Sequence, residues 1–128
     1  MEVSVATNFA DFVAFTAANS PHALVMDLWR RLDLALHEYC GVLGIEIDRR
    51  KRDAREKMEK AVSRDQALGP GVASRIRELR QWRNRVAHEA ICGLSPQDAT
   101  AYAQQTFSLL ARLGVRISEL FRDSGKTS

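Results

Sequence analysis

The sequence predicts an all-α protein, a four- to five-helix antiparallel bundle, and three observations carry that prediction. Apolar residues recur at spacings of three and four over long stretches, Ser-Pro and Gly-rich breaks separate those stretches, and no segment alternates long enough to make a convincing strand. The 128 residues are 45% hydrophobic and 27% charged. That length suits one domain whose core needs no disulfide or metal to hold it. We place the domain at residues 1–123 and expect 124–128 to be a flexible C-terminal tail.

Thr7 or Asn8 can cap a short first helix carrying Phe9, Phe12, Val13 and Phe15 and running to about Ala18. Ser20 followed by Pro21 then starts a long second helix, 21–43, along which Leu24, Val25, Leu28, Leu32, Leu36, Tyr39 and Leu43 share one face, with Gly44 suited to its left-handed cap. Ile45 and Ile47 form a connector. Asp48 is the expected cap of a third helix, whose apolar residues Ala54, Met58, Ala61 and Val62 are sparse beside the run Arg49-Arg50-Lys51-Arg52. Gly69-Pro70-Gly71 breaks the chain. Val72, Ile76, Leu79, Val86 and Ala90 align on a fourth helix ending near Cys92-Gly93. Ser95-Pro96-Gln97-Asp98 is a strong helix start, and Ala99, Tyr102, Ala103, Thr106, Leu109, Leu110, Leu113, Ile117, Leu120 and Phe121 line one face of the last helix.

No stretch reaches the 18 or more apolar residues that a membrane span needs, and the N-terminus lacks a basic secretory n-region, so we expect a cytoplasmic protein with no membrane partner. Cys40 and Cys92 show no metal-ligand spacing and read as reduced, buried thiols. No Gly-rich phosphate loop, His-Glu-x-x-His or Gly-x-Ser-x-Gly occurs, and the sequence gives no expectation of a metal or cofactor. The net charge of +3 is unevenly spread: −5 over residues 1–48, +4 over 49–60 and +4 over 75–85. A polyanion is attracted by such a basic middle; a solvated helix face produces the same pattern.

The densest group of cationic, amide and imidazole side chains is Leu79 to Glu89 on the fourth helix. With about 100° per residue, Arg83 falls about 40° from Leu79, inside the apolar stripe, so it needs a carboxylate, a backbone carbonyl, a second subunit or a ligand anion. Asp27, Asp33 and Glu38 on the second helix are candidate partners. Arg77, Gln81, Asn84 and His88 form a polar row on another face. An imidazole there suits proton transfer near neutral pH, and an arginine suits a phosphate.

Arg83-Asn84-Arg85-Val86-Ala87-His88 resembles the Arg-x4-His signature of the HEPN superfamily, within a helical order of the same kind. The resemblance implies a four- or five-helix bundle that forms a homodimer with the motifs of both subunits facing one cleft, and a metal-independent endoribonuclease. It further implies that Arg83 binds the scissile phosphate, Asn84 is the polar residue after the motif arginine, and His88 transfers the proton. Arg77, Arg80 and Arg85 are candidate RNA contacts. A bacterial toxin or defence component neutralised by a companion protein is the implied setting; the alternative is a noncatalytic dimeric binding, regulatory or immunity-type protein that recognises a protein or nucleic acid. On an ideal helix Arg83 and His88 stand about 140° apart, so convergence needs distortion or a second subunit.

Other residues read more plainly. Trp29 and Trp82 suit core or interface packing, His22 and His37 suit surface or structural roles, and Arg75 and Arg80 suit solvated positions or an RNA backbone. A helix-turn-helix spanning Ala61 to Leu68 and a recognition helix with Arg75, Arg77 and Arg80 fits poorly, because the fourth helix already commits its apolar stripe to the core.

Overall fold

The computed structural model describes residues 5–88 and 93–126, with side chains over 10–88 and 93–123. It holds five helices: α1 Val5–Asn19, α2 Pro21–Val42, α3 Ala54–Arg64, α4 Val72–His88 and α5 Pro96–Lys126. No strand occurs among the described residues, and none of their helices is long and apolar enough to cross a membrane. The all-α bundle expected from the periodicity is the observed architecture.

The core forms chiefly between α2 and α5. Leu24, Val25, Leu28, Leu32, Leu36 and Tyr39 of α2 are buried, as are Ala99, Tyr102, Ala103, Thr106, Leu109, Leu113 and Ile117 of α5. Each set repeats every three or four residues, so both helices present one continuous stripe. Thr106 can occupy this interior because its hydroxyl donates back to the Tyr102 carbonyl at 2.8 Å. Val72, Ile76, Leu79 and Val86 of α4 and Met58, Ala61 and Val62 of α3 complete the core.

Two contacts fix helix direction. Trp29 lies by Arg80, while Leu36 shares a small internal space with Ala73 and Ile76, so α2 and α4 run antiparallel. At the C-terminal end of α2, Tyr39 and Arg116 of α5 meet on Asp65, which puts the C-terminal part of α2 beside that of α5, so these two helices run parallel where an antiparallel order is expected.

The helix ends follow local chemistry. Gly44 takes φ +76 and closes α2 with paired bonds, Gly44 N to Gly41 O at 3.1 Å and Ile45 N to Cys40 O at 2.9 Å, the pattern of a Schellman cap. Ser95 and Asp98 cap α5 reciprocally: Asp98 N donates to Ser95 Oγ at 3.0 Å and Ser95 N to Asp98 Oδ2 at 3.3 Å. Ser20 precedes Pro21 as expected, yet its side chain makes no capping bond.

Four expectations are corrected. Asp48 does not start α3; its carboxylate accepts from Arg50 N at 3.0 Å in a local turn, and the helix begins six residues later at Ala54. Four consecutive cations in a first turn would oppose the helix dipole, whereas a turn leaves them solvated. α1 begins at Val5 and ends at Asn19, and Phe12 and Phe15 are 57% and 69% exposed, because among the described side chains of α1 it is Val13 and Ala17 that are buried against the bundle. Leu43 and Phe121 are also exposed, one at the end of α2 and one beyond the last buried turn of α5. α5 continues to Lys126, into the segment expected to be a tail. The expected positions of Phe9, Ala90 and Cys92 lie outside the described side chains.

Candidate phosphate-binding and proton-transfer site on α4

α4 forms because Gly69 and Gly71, at φ +86 and +85, turn the chain sharply before Val72, after which the apolar residues hold a helical spacing through Val86. The buried stripe fixes the rotation of the helix, and that rotation sorts its polar side chains.

Arg77, Gln81 and His88 are exposed and Asn84 is half-buried, so the polar row lies along the open side of α4. Arg83 is half-buried beside it. Its Nη1 donates to Asn84 Oδ1 at 3.2 Å, while its Nε is buried without a hydrogen-bond partner. Asp27 instead pairs with Arg31 at 3.0 Å, and Asp33 lies within 3.6 Å of both His37 and Arg49. Among the described residues no carboxylate pairs with Arg83. Its guanidinium is close enough to Tyr102 to act on that phenol, whose pKa is nonetheless pushed up by burial; the Tyr102 hydroxyl donates to Leu79 O at 3.1 Å.

Arg80 departs from the sequence reading. It is only 8% exposed, bonded to Glu59 of α3, and its guanidinium carbon stands 5.6 Å from the centre of the Trp29 ring. Burial of the charge follows from those two partners, a carboxylate and an aromatic face. Arg80 is therefore a strut between α2, α3 and α4, turned away from any polyanion on the surface. Glu59 also lies 3.8 Å from the exposed Arg77. The sequence did carry a signal for this partner: Glu59 adjoins Met58 on the narrow apolar side of α3.

Arg85 stacks over Trp82 at 5.2 Å, and Trp82 is 37% exposed. That pair flanks the polar row, on the side opposite Arg83. His37 is a satisfied structural residue: Nδ1 donates to Asp33 O at 2.8 Å and Nε2 accepts from Arg49 Nε at 3.0 Å. Among the described residues no group of three or more His, Cys, Asp and Glu side chains gathers as a metal site.

The structure thus brings Arg83 and Asn84 into direct contact and leaves His88 one turn beyond Asn84, at the end of α4. Arg83 and His88 remain on different sides of the helix. A scan against protein families, and searches of curated proteins and of solved structures, returned no match to this chain.

Proposed function

We propose that the chain is a HEPN-like, metal-independent endoribonuclease that acts as a homodimer, with Arg83, Asn84 and His88 as its working residues. The observation that supports it best is the state of Arg83. Its neighbour Arg80 is paired with Glu59, whereas Arg83 has no carboxylate partner among the described residues, holds Asn84 and carries a buried, unpartnered Nε. A buried donor without an acceptor costs about 1–3 kcal/mol, which a bound phosphate oxygen would recover.

The chemistry needs two events. A base removes the proton from an RNA 2′-hydroxyl, whose oxygen attacks the adjacent phosphorus and expels the 5′-oxygen, which takes up a proton. The products are a 2′,3′-cyclic phosphate and a free 5′-hydroxyl. Arg83 stabilises charge on the five-coordinate phosphorus, Asn84 orients that guanidinium, and His88 moves the proton. Arg77 and Arg85 flank the row and suit the RNA backbone. Because Arg83 and His88 of one protomer diverge, a second copy supplies the missing partner across a shared cleft. A toxin or defence role with a neutralising companion protein fits this activity.

The divergence of Arg83 and His88 equally favours a noncatalytic dimer that binds an anionic partner through Arg83 alone. One experiment separates the two: purified protein is incubated with mixed RNA in EDTA beside Arg83→Ala and His88→Ala, and product ends are analysed. Cleavage by the wild type alone, leaving 2′,3′-cyclic phosphate, supports the nuclease. Intact RNA in every lane selects the binding protein.

A further inference from the structure

A cleft of small-molecule size lies away from α4's polar row, at the end of the bundle where α2 and α3 meet the turn at residues 65–67. It is open to solvent and has a volume of about 880 Å³, within the roughly 300–1,000 Å³ of ordinary small-molecule sites. The cleft wall touches Ala67, shortly before α4 begins, whereas His88 stands about 24 Å further along that helix. The two places are separate sites.

The lining has two characters. Leu43, Ile45 and Ala61 supply an aliphatic wall, and four cations, Lys57, Lys60, Arg64 and Arg116, face two carboxylates, Glu46 and Asp65. Asp65 offers an anion little repulsion, since it already accepts from Tyr39 Oη at 2.6 Å, Arg116 Nε at 2.8 Å and Ala67 N at 3.0 Å. Lys57 lies 3.7 Å from Asp53. Lys60 and Arg64 remain, one turn apart on α3, and no carboxylate among the described residues pairs with either. Tyr39 is the one aromatic residue in the lining, fully buried and tied to Asp65, so the cleft offers no open ring on which a nucleobase would stack.

We propose that this cleft binds a small aliphatic anion, with an alkyl chain along Leu43, Ile45 and Ala61 and a carboxylate or phosphate head between Lys60 and Arg64. An exposed Leu43 at the end of α2 is then part of a ligand wall. The exposed pair Lys60 and Arg64 sits four residues apart on one helical face, a spacing that lets both reach a single head group.

Calorimetric titration of the full chain with octanoate and with octyl phosphate, both below their micelle concentrations, tests it. Saturable one-to-one binding of either probe is expected, and the pair together reports which head group is preferred. Lys60→Glu and Arg64→Glu each weaken it about tenfold, the size expected when one charge-assisted hydrogen bond is lost, with an unchanged far-ultraviolet circular dichroism spectrum. Ile45→Asp weakens it as well, and amide shifts cluster at residues 43–67 rather than near His88. Absence of saturable binding by both probes, equal binding of the uncharged 1-octanol, or insensitivity to both charge reversals overturns the proposal. Milder Lys60→Gln and Arg64→Gln variants decide the case if a reversal unfolds the protein. RNA cleavage does not enter this test, so it stands or falls apart from the nuclease.

Discussion

Asp65 is the residue on which three helices converge, and its ionisation is a stability question. Burial alone would push its carboxyl up, but hydrogen bonds from Tyr39, Arg116 and the Ala67 amide outweigh that and hold it below the usual carboxylate range. A depressed folded pKa means that the stabilisation is complete above the unfolded value of about 4 and is lost as pH falls through the folded one. The thermal midpoint should therefore drop on acidification below about pH 4, and Asp65→Asn should flatten that dependence. Tyr39→Phe removes one donor while keeping the ring, and should lower stability in urea by about 1–2 kcal/mol. A second residue-scale contrast concerns charge. Glu59→Ala strands the buried Arg80 and should cost about 3 kcal/mol or more, whereas His88→Ala, on an exposed position, should change stability by less than about 0.5 kcal/mol. A large loss of stability in His88→Ala would make His88 structural and remove the reason to assign it proton transfer.

At the scale of elements, single changes in the turns before α4 and α5 have a direct local cost. Ser95→Ala deletes the acceptor for Asp98 N and should cost about 1 kcal/mol. Gly69→Ala should cost at least as much, because its φ of +86 disfavours a side chain and the added Cβ would stand 3.3 Å from Arg112 Nη2. Thermal melts check both. The same elements show what a sequence makes legible. α5 announces itself through Ser-Pro-Gln-Asp, and the buried faces of α2, α4 and α5 follow their periodicity, since both signals are local. The start of α3 is misread because Asp48 serves an isolated turn as well as it would serve a cap. Arg80 is misread because its burial depends on Glu59 and Trp29, 21 and 51 residues away in the chain, which no helical wheel contains. The polar row of Arg77, Gln81, Asn84 and His88 was legible from spacing alone. The Asp65 cluster was not, as its partners come from 26 residues before and 51 after.

For the whole molecule the decisive property is the number of copies. Arg83 and His88 leave α4 on different sides, so under the nuclease proposal the phosphate-binding and proton-transfer groups of a single protomer would not address one phosphodiester together. Two copies can, if the open side of α4 in one faces the same side of the other. The charge distribution suits this arrangement with RNA: residues 1–48 carry −5 and the two basic segments carry +4 each, so the attraction is concentrated on α3, α4 and the turn before α3. Light scattering at micromolar concentration should then give a mass near twice 14.4 kDa. RNA binding should weaken as salt rises, with a slope that Arg77→Ala or Arg85→Ala reduces by about one and Arg80→Ala leaves unchanged, because only the first two face solvent. Mixing Arg83→Ala with His88→Ala chains supplies the sharper test. If each active centre draws Arg83 from one subunit and His88 from the other, mixed dimers regain one intact centre, and cleavage returns to about half the wild-type rate per heterodimer. A mixture as inactive as its components, from chains shown to exchange, would place both groups in one protomer and require α4 to distort on binding RNA.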